Sequence, residues 1–526
     1  MVHDIHQTFD DSLEVRSIYL DMSKAFDKVW HEGLIFKLKQ NGIEGKLLNL
    51  FQNYLTNRKQ RVVLNGMESN WGEIKAGVPQ GSVLGPLLFL VYINDLEEGI
   101  KSNVKFFADD TSLFSIVQDP VVSAEELQHD LNLIHKWEHQ WKMSFNPEPT
   151  KQAEEIIFSQ KSSNPDHPII YFNDIEVKRV SDHKHLGLTL DTKLKFAKHF
   201  SEKISIARKG IGIIKHLAPY LPLKSREQIF KMHVRPHLDY CDMIYHIPVA
   251  TRETNDFDFT RTLSHQMTTL ERIQYQAALA VTGAWKSTST AKIYSELGWE
   301  TLNERRMSRR LTQFYKIMHG LTPDYLRTPI LPLQLNSDTN RFANVFRLFR
   351  SRTETYLSSF FPDSVAMWND MAPELRGAES LSVFKRNLLK VYRPKKKTIF
   401  NIHDCGIKWI FQLRVGLSPL KSHKKAHKFQ DTPNDTCCCA QQAGTRYIPE
   451  TSGHFLLHCP NFTDHRNELF NILNPILQAN DMRFIEDDKF VHLLLYGKEE
   501  FKFEENQSIL KATINFIKNT SRFSQT

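Results

Sequence analysis

Cysteine is scarce in this chain, with six in 526 residues. That frequency excludes a disulfide-stapled scaffold and points to a reducing compartment. Long apolar runs are missing too. The best one, Pro86-Leu87-Leu88-Phe89-Leu90-Val91-Tyr92-Ile93, falls well short of the roughly 20 residues that a membrane-spanning helix needs. The opening His3-Asp4-Ile5-His6 carries no apolar signal core. There is no internal repeat and no long low-complexity tract. Neither charge dominates: the net excess is +8, which suits a polyanionic partner and equally a mildly basic soluble protein. What the chain does have is a globular composition, 41% hydrophobic and 24% charged. Its length exceeds what one core usually holds, so two to four domains are expected.

Three blocks in the first 120 residues carry chemistry. The apolar run Ile18-Tyr19-Leu20 ends in Asp21 and is followed by Met22-Ser23-Lys24-Ala25-Phe26-Asp27. Phe106-Phe107-Ala108-Asp109-Asp110, followed by Thr111-Ser112-Leu113-Phe114, reads as strand, tight turn, strand. Between them lies Gly77-Val78-Pro79-Gln80-Gly81-Ser82-Val83-Leu84-Gly85-Pro86. Glycine lets backbone approach a ligand closely, and proline stiffens the approach. An acidic pair alone is ordinary turn chemistry. Acids at the ends of two neighbouring strands, however, can share a pair of divalent cations. Mg²⁺ takes oxygen ligands, usually one or two carboxylates plus substrate phosphates, and two such ions suit in-line phosphoryl displacement.

The patterning predicts strands over 15–21, 61–64, 104–107, 111–116, 155–158 and 185–190, with a hairpin turn at Asn65-Gly66. Helices are predicted over 33–41, 46–54, 87–96 (with Pro86 at its first turn) and 124–141. From Lys195 to Leu389 helical periods dominate, as in 201–217 and 270–282, while 251–261 is polar and reads as a loop or linker. Near the C-terminus, Cys437-Cys438-Cys439 is followed by His454 and Cys459. Paired cysteines with a helical His and Cys can close a tetrahedral Zn²⁺ site. Cys437, Cys439, His454 and Cys459 are the expected ligands, with Cys438 able to replace a neighbour and His458 able to compete with His454.

These blocks, in this order, resemble the reverse transcriptases of non-LTR retrotransposons, the jockey-like LINE elements. The resemblance is continuous from Val15 to Leu190 and weaker toward the C-terminus. It implies an α+β fold: a polymerase palm, a mixed sheet with helices on one face, then a helical thumb and a helical C-terminal region with a small zinc-binding module. The implied domains are 1–190 palm with fingers largely missing, 191–250 thumb, 262–392 helical extension, 393–435 basic linker and 436–526 zinc-knuckle region. The implied activity is RNA-directed DNA polymerisation, with RNA template, DNA primer and deoxynucleoside triphosphates as partners and no membrane. Two Mg²⁺ ions would be held by Asp21, Asp109 and Asp110, the last in a supporting role. Phe26 matches a steric gate against the 2′-hydroxyl. Gln80 and Gly81 match nucleotide-contacting positions. Lys151 stands where a lysine can protonate pyrophosphate, although Asn146-Pro147-Glu148-Pro149-Thr150-Lys151 departs from the usual spacing. Leu186 and Gly187, in His185-Leu186-Gly187, match the primer grip. Cys437–Cys459 resembles the C-terminal CCHC knuckle of these elements.

The resemblance also implies a truncated copy, with no endonuclease domain and a palm sheet whose apolar surface lacks covering helices. The location expected is intracellular, in nucleus or cytoplasm. Arg305, Arg306, Arg309 and Arg310 could contact phosphates or serve as plain helix charges. The competing reading, from a different class, is a nucleic-acid-binding protein without polymerase activity, derived from such an element.

Overall fold

The computed structural model describes residues 1–146, 148, 153–161, 166–245, 249–250, 261–262, 265–331, 345–392, 404, 406–442, 447–482 and 485–523. They form two compact units, Met1–His199 with Phe349–Ser359, and Phe200–Leu348 with Phe360–Thr526.

The first unit is built on helix α1 (Val2–Asp10), strand β1 (Glu14–Leu20), helices α2 (His31–Gln40), α3 (Gly45–Leu55) and α4 (Leu84–Ile93), strands β2 (Asn103–Phe107) and β3 (Asp110–Val117), helix α5 (Pro120–Gln140) and strands β4 (Ala153–Phe158), β5 (Lys178–Arg179), β6 (Asp182–His185) and β7 (Leu188–Asp191). The five-stranded sheet runs β5-β4-β1-β3-β2. It is mixed, because β5 pairs parallel to β4 while the other pairings are antiparallel. Side chains alternate along a strand, so Ile18 and Leu20 share one face of β1. There they join Leu113 and helix residues Leu34, Leu38, Leu88, Phe89, Leu127, Leu131 and Ile134 in one apolar core. Helix α5 starts earlier than the apolar period suggests, at Pro120. The Asp119 side chain accepts from the backbone N–H groups of Val121 and Val122, at 2.7 and 3.2 Å, an N-cap followed by proline at the first position. In α4, by contrast, Pro86 is the third residue.

The other face of β1 is covered as well, since all seven of its residues are buried. The Tyr19 hydroxyl donates to Met1 Sδ at 3.7 Å. Asp10, the last residue of α1, accepts from the backbone N–H groups of Arg352 and Thr353 and from the Thr353 hydroxyl, at 2.9, 2.7 and 2.8 Å. Burial alone would raise the Asp10 pKa, but these donors outweigh it and hold the carboxyl below its ordinary value. The uncovered sheet expected from sequence is therefore not what forms: α1 packs on β1, and a segment far along the chain, Arg352-Thr353, holds α1 in place.

A buried ion network locks β1 to β4. Arg16, fully buried, pairs with Glu155, and Arg179 donates to the same carboxylate at 2.7 Å. Arg16 also donates to the Pro168 carbonyl at 2.7 Å. Removing the acid strands a guanidinium out of reach of water, a loss of about 3–5 kcal/mol for breaking a buried pair. Glu155→Ala is expected to lower the denaturant midpoint of this unit by that amount; a change below about 1 kcal/mol would mean that water reaches Arg16.

The second unit is helical. Its helix Leu302–Met318 starts at a capping box in which Thr301 and Glu304 cap each other's backbone N–H. Of the four arginines offered as phosphate contacts, Arg306 and Arg310 are buried, Arg310 against Asp363 at 2.7 Å and Arg306 on the Leu238 carbonyl at 3.3 Å. Arg305 and Arg309 pair with Asp239 and Asp242, each at 2.8 Å. Protein acids hold three of these guanidiniums and a main-chain carbonyl the fourth.

Candidate functional site

The register of the sheet brings the first-unit acids together. β1 ends at Leu20 opposite Thr111, so Asp21 and Asp110 face each other one step beyond, on the face that carries Tyr19 and Ser112. Phe107 pairs with Asp110, which leaves Ala108-Asp109 as a two-residue turn. Ala108 has φ +53°, the conformation for which glycine is the usual residue in such a turn. A side chain there costs roughly 1–2 kcal/mol, strain of the kind that gathers at functional sites. Burial, then the charges of Asp109 and Asp21, push the Asp110 pKa up, with His183 opposing. Three carboxylates are thus close enough to repel, a crowding that a cation would relieve.

Asp21 is oriented by a residue that the sequence did not single out. Asn146 donates from its backbone N–H to the Asp21 carbonyl at 2.8 Å, and from Nδ2 to the carboxylate at 2.7 Å. A bridge between Met22 and Phe145 carries this strand-like contact past the end of β1.

Asp109 lines a cavity of about 390 Å³ with Lys24, Ala25, Phe26, Pro79, Gln80, Gly81 and Pro86. The Gly77–Pro86 loop is docked on the segment after β1: Gly77 N–H donates to Val29 O and Val78 N–H to Phe26 O, both at 2.8 Å. Gly77 has φ +92°, and a Cβ would come within 2.8 Å of Asp27 backbone, so only glycine fits. The Ser82 hydroxyl donates to Pro79 O at 2.7 Å and accepts from Gly85 N–H at 2.9 Å. Gln80 donates to Asp27 at 2.8 Å, a partner not foreseen from sequence. The Phe26 ring stacks on Phe89, 4.6 Å between centroids. Lys151 lies outside the described residues.

On the other side, Asp21 and Asp110 line a second cavity, about 290 Å³, with Tyr19, Glu154, His183 and Leu186 among others. Residues 185–190, read by pattern as a strand, are a hairpin in which His185 pairs with Leu188. Leu186 and Gly187 form its turn with φ +47° and +80°, the two positive values of a type I′ turn, at the place where the resemblance put a turn.

In the second unit, one ligand atom from each of Cys437, Cys439, His454 and Cys459 lies within 4.8 Å of every other. The sulfurs of Cys437 and Cys459 are 3.7 Å apart, and Cys439 Sγ is 3.3 Å from His454 Nε2. Cys438 turns away to accept from Asn461 at 3.6 Å, and His458 sits 2.5 Å from Asp487. Cys459 directly follows the helical turn His454–His458, and Arg466 donates to its carbonyl at 2.7 Å. Burial pushes the Cys459 thiol up to about 12 and the Cys437 thiol upward. A cation among these donors would reverse that shift, because it binds the thiolate form.

A mixed sheet whose central strand ends gather carboxylates, flanked by a glycine-proline loop and a turn that faces them, defines a polymerase palm. Residues 2–190 match the family described as "Reverse transcriptase (RNA-dependent DNA polymerase)". The chain is 29% identical over 250 residues to the "Probable RNA-directed DNA polymerase from transposon X-element" of Drosophila melanogaster, covering 46% of this chain and 27% of that protein. It is 30% identical over 242 residues to the "RNA-directed DNA polymerase from mobile element jockey" of the same fly, 44% of this chain and 26% of that one. To the "Probable RNA-directed DNA polymerase from transposon BS" it is 33% identical over 203 residues, 37% and 22%. The chain therefore spans about a quarter of the length of these relatives. Residues 2–190 are thus similar to a reverse transcriptase domain, and these relatives are named for transposons and a mobile element. Among the described residues no helix is long and apolar enough to cross a membrane.

Proposed function

We propose that this chain is an RNA-directed DNA polymerase that extends a DNA primer on an RNA template from deoxynucleoside triphosphates, inside the cell. The observation that carries the reading is the convergence of Asp21, Asp109 and Asp110 beside the cavity that holds Phe26 and Gln80. Two Mg²⁺ ions held by the three carboxylates would neutralise charge on the transferring phosphoryl group. Asn146 keeps the Asp21 carboxylate aimed. Gln80, steadied by Asp27, and Gly81, whose backbone is open on one side, meet the nucleotide and the template. Leu186 and Gly187 hold the primer from the second cavity. Lys151 is assigned protonation of the leaving pyrophosphate on sequence alone.

Cys437, Cys439, His454 and Cys459 fit a structural Zn²⁺. Tetrahedral bonds of about 2.3 Å put sulfurs about 3.8 Å apart, against 3.7 Å for Cys437 and Cys459.

The test is extension of a DNA oligonucleotide on an RNA homopolymer by the full chain with Mg²⁺. No incorporation under any condition would remove the catalytic reading. Salt-dependent RNA binding without extension would put the non-catalytic nucleic-acid-binding reading in its place.

The same assay checks Phe26. Its ring would sit under the sugar, so Phe26→Val should admit ribonucleotides, raising their incorporation relative to deoxynucleotides on the order of 10- to 100-fold. Unchanged selectivity would reduce Phe26 to a core aromatic stacked on Phe89.

A further inference from the structure

We propose that His183, oriented by Glu154, is the hydrogen-bond acceptor for the 3′-hydroxyl of the primer strand. This rests on the polymerase reading and adds to it a residue that neither the sequence motifs nor the family match assigns.

Three strands fix the His183 ring. Its Nδ1 is 2.8 Å from Glu154 Oε2. An ionised carboxylate only accepts, so Nδ1 carries the proton in the neutral ring and Nε2 presents a lone pair. Tyr19 stacks flat on the ring, 3.8 Å between centroids and 14° between planes. Turning the imidazole would lose both contacts. Tyr19 and Glu154 are themselves paired across β1 and β4, so the ring rests on the rigid sheet rather than on the hairpin alone. The side chains of His183 and Glu154 are 16% and 29% exposed, open enough to meet a ligand.

The ring lines the cavity that also holds Asp21 and Asp110. Of the other groups there, the Glu154 carboxylate is already engaged by the His183 ring at 2.8 Å. Asp21 and Asp110 are the cation carboxylates of the reading above. Lys184 only donates. The Tyr19 hydroxyl is bonded to Met1. Burial lowers the His185 pKa to about 4 and keeps that ring in the packing around Tyr19. Thr111 is 1% exposed. His183 Nε2 is left as the acceptor on that side, three residues before the Leu186-Gly187 turn assigned to primer contact.

The test uses the full chain and a fluorescent DNA primer annealed to an RNA template, ending in either a 3′-hydroxyl or a 3′-deoxy sugar, with binding read by anisotropy. The unaltered protein should prefer the hydroxyl-ended duplex by between about twofold and tenfold, the worth of one hydrogen bond. His183→Ala should erase the preference while binding to the 3′-deoxy duplex stays unchanged, which rules out misfolding. His183→Gln, whose amide reaches the place of Nε2, should keep it, and His183→Asn, which reaches only that of Nδ1, should not. Glu154→Gln should lose it, because the amide can donate to Nδ1 and move the ring proton to Nε2. If the unaltered protein and His183→Ala both bind and extend the primer with equal preference, the proposal falls and the polymerase reading stands. If the unaltered protein neither binds nor extends the duplex, both fall.

Discussion

Asp109→Asn is expected to abolish primer extension while leaving duplex binding intact. The amide is nearly isosteric with the carboxylate, so the Ala108-Asp109 turn keeps its shape and only the charge is lost. Charge is what the site supplies, since phosphoryl transfer asks the protein for positioning and neutralisation rather than covalent chemistry. Turnover should fall on the order of 10³-fold, about 4 kcal/mol of transition-state stabilisation. Asp110→Asn should be milder, about tenfold, because Asp110 is assigned the supporting role beside Asp109. Steady-state incorporation with saturating primer and nucleotide measures both. A protein with asparagine at 109 that kept more than about a tenth of its activity would sink the assignment, and so would the reverse ranking of the two variants.

The second large effect concerns the cysteine and histidine cluster. Chelation, or Cys459→Ala, should unravel the C-terminal part of the second unit. Structural zinc contributes on the order of 10 kcal/mol to the fold that it nucleates, more than a marginally stable domain has to spare. Elemental analysis should find one zinc per chain before treatment. Limited proteolysis afterwards should cut within 437–523 and leave 1–199 protected. Cys438→Ala is the control: its sulfur points to Asn461, and the change should stay within about 0.5 kcal/mol. Absence of bound zinc, together with a protease pattern indifferent to chelator, would mark these residues as buried thiols.

What could be read from sequence and what could not divide along a physical line. Asp21 and Asp109-Asp110 stand out because each interrupts an apolar strand at its end, and local pattern reveals that. The four donors around Cys437 stand out because their residue types have few other reasons to cluster. Asn146 did not, because its bond to Asp21 spans 125 positions and leaves no periodic trace. The Glu154–His183 pair was silent for the same reason. Arg306 and Arg310 were misjudged because a helix rich in arginine reads as solvated; only the arrival of Asp363 and the Leu238 carbonyl shows the two guanidiniums to be interior. The turn at Leu186 was legible from the resemblance but not from propensity, which argues for Gly or Asn in a left-handed turn.

The link between Asp10 and Thr353 has a consequence for anyone wishing to excise the first unit. The polypeptide leaves that unit after His199 and re-enters it for Phe349–Ser359, so reading order and folding unit do not coincide. Cutting the gene at the apparent seam would discard a strap that α1 grips. A faithful minimal version has to splice the strap back, through a short linker or as a separately supplied peptide.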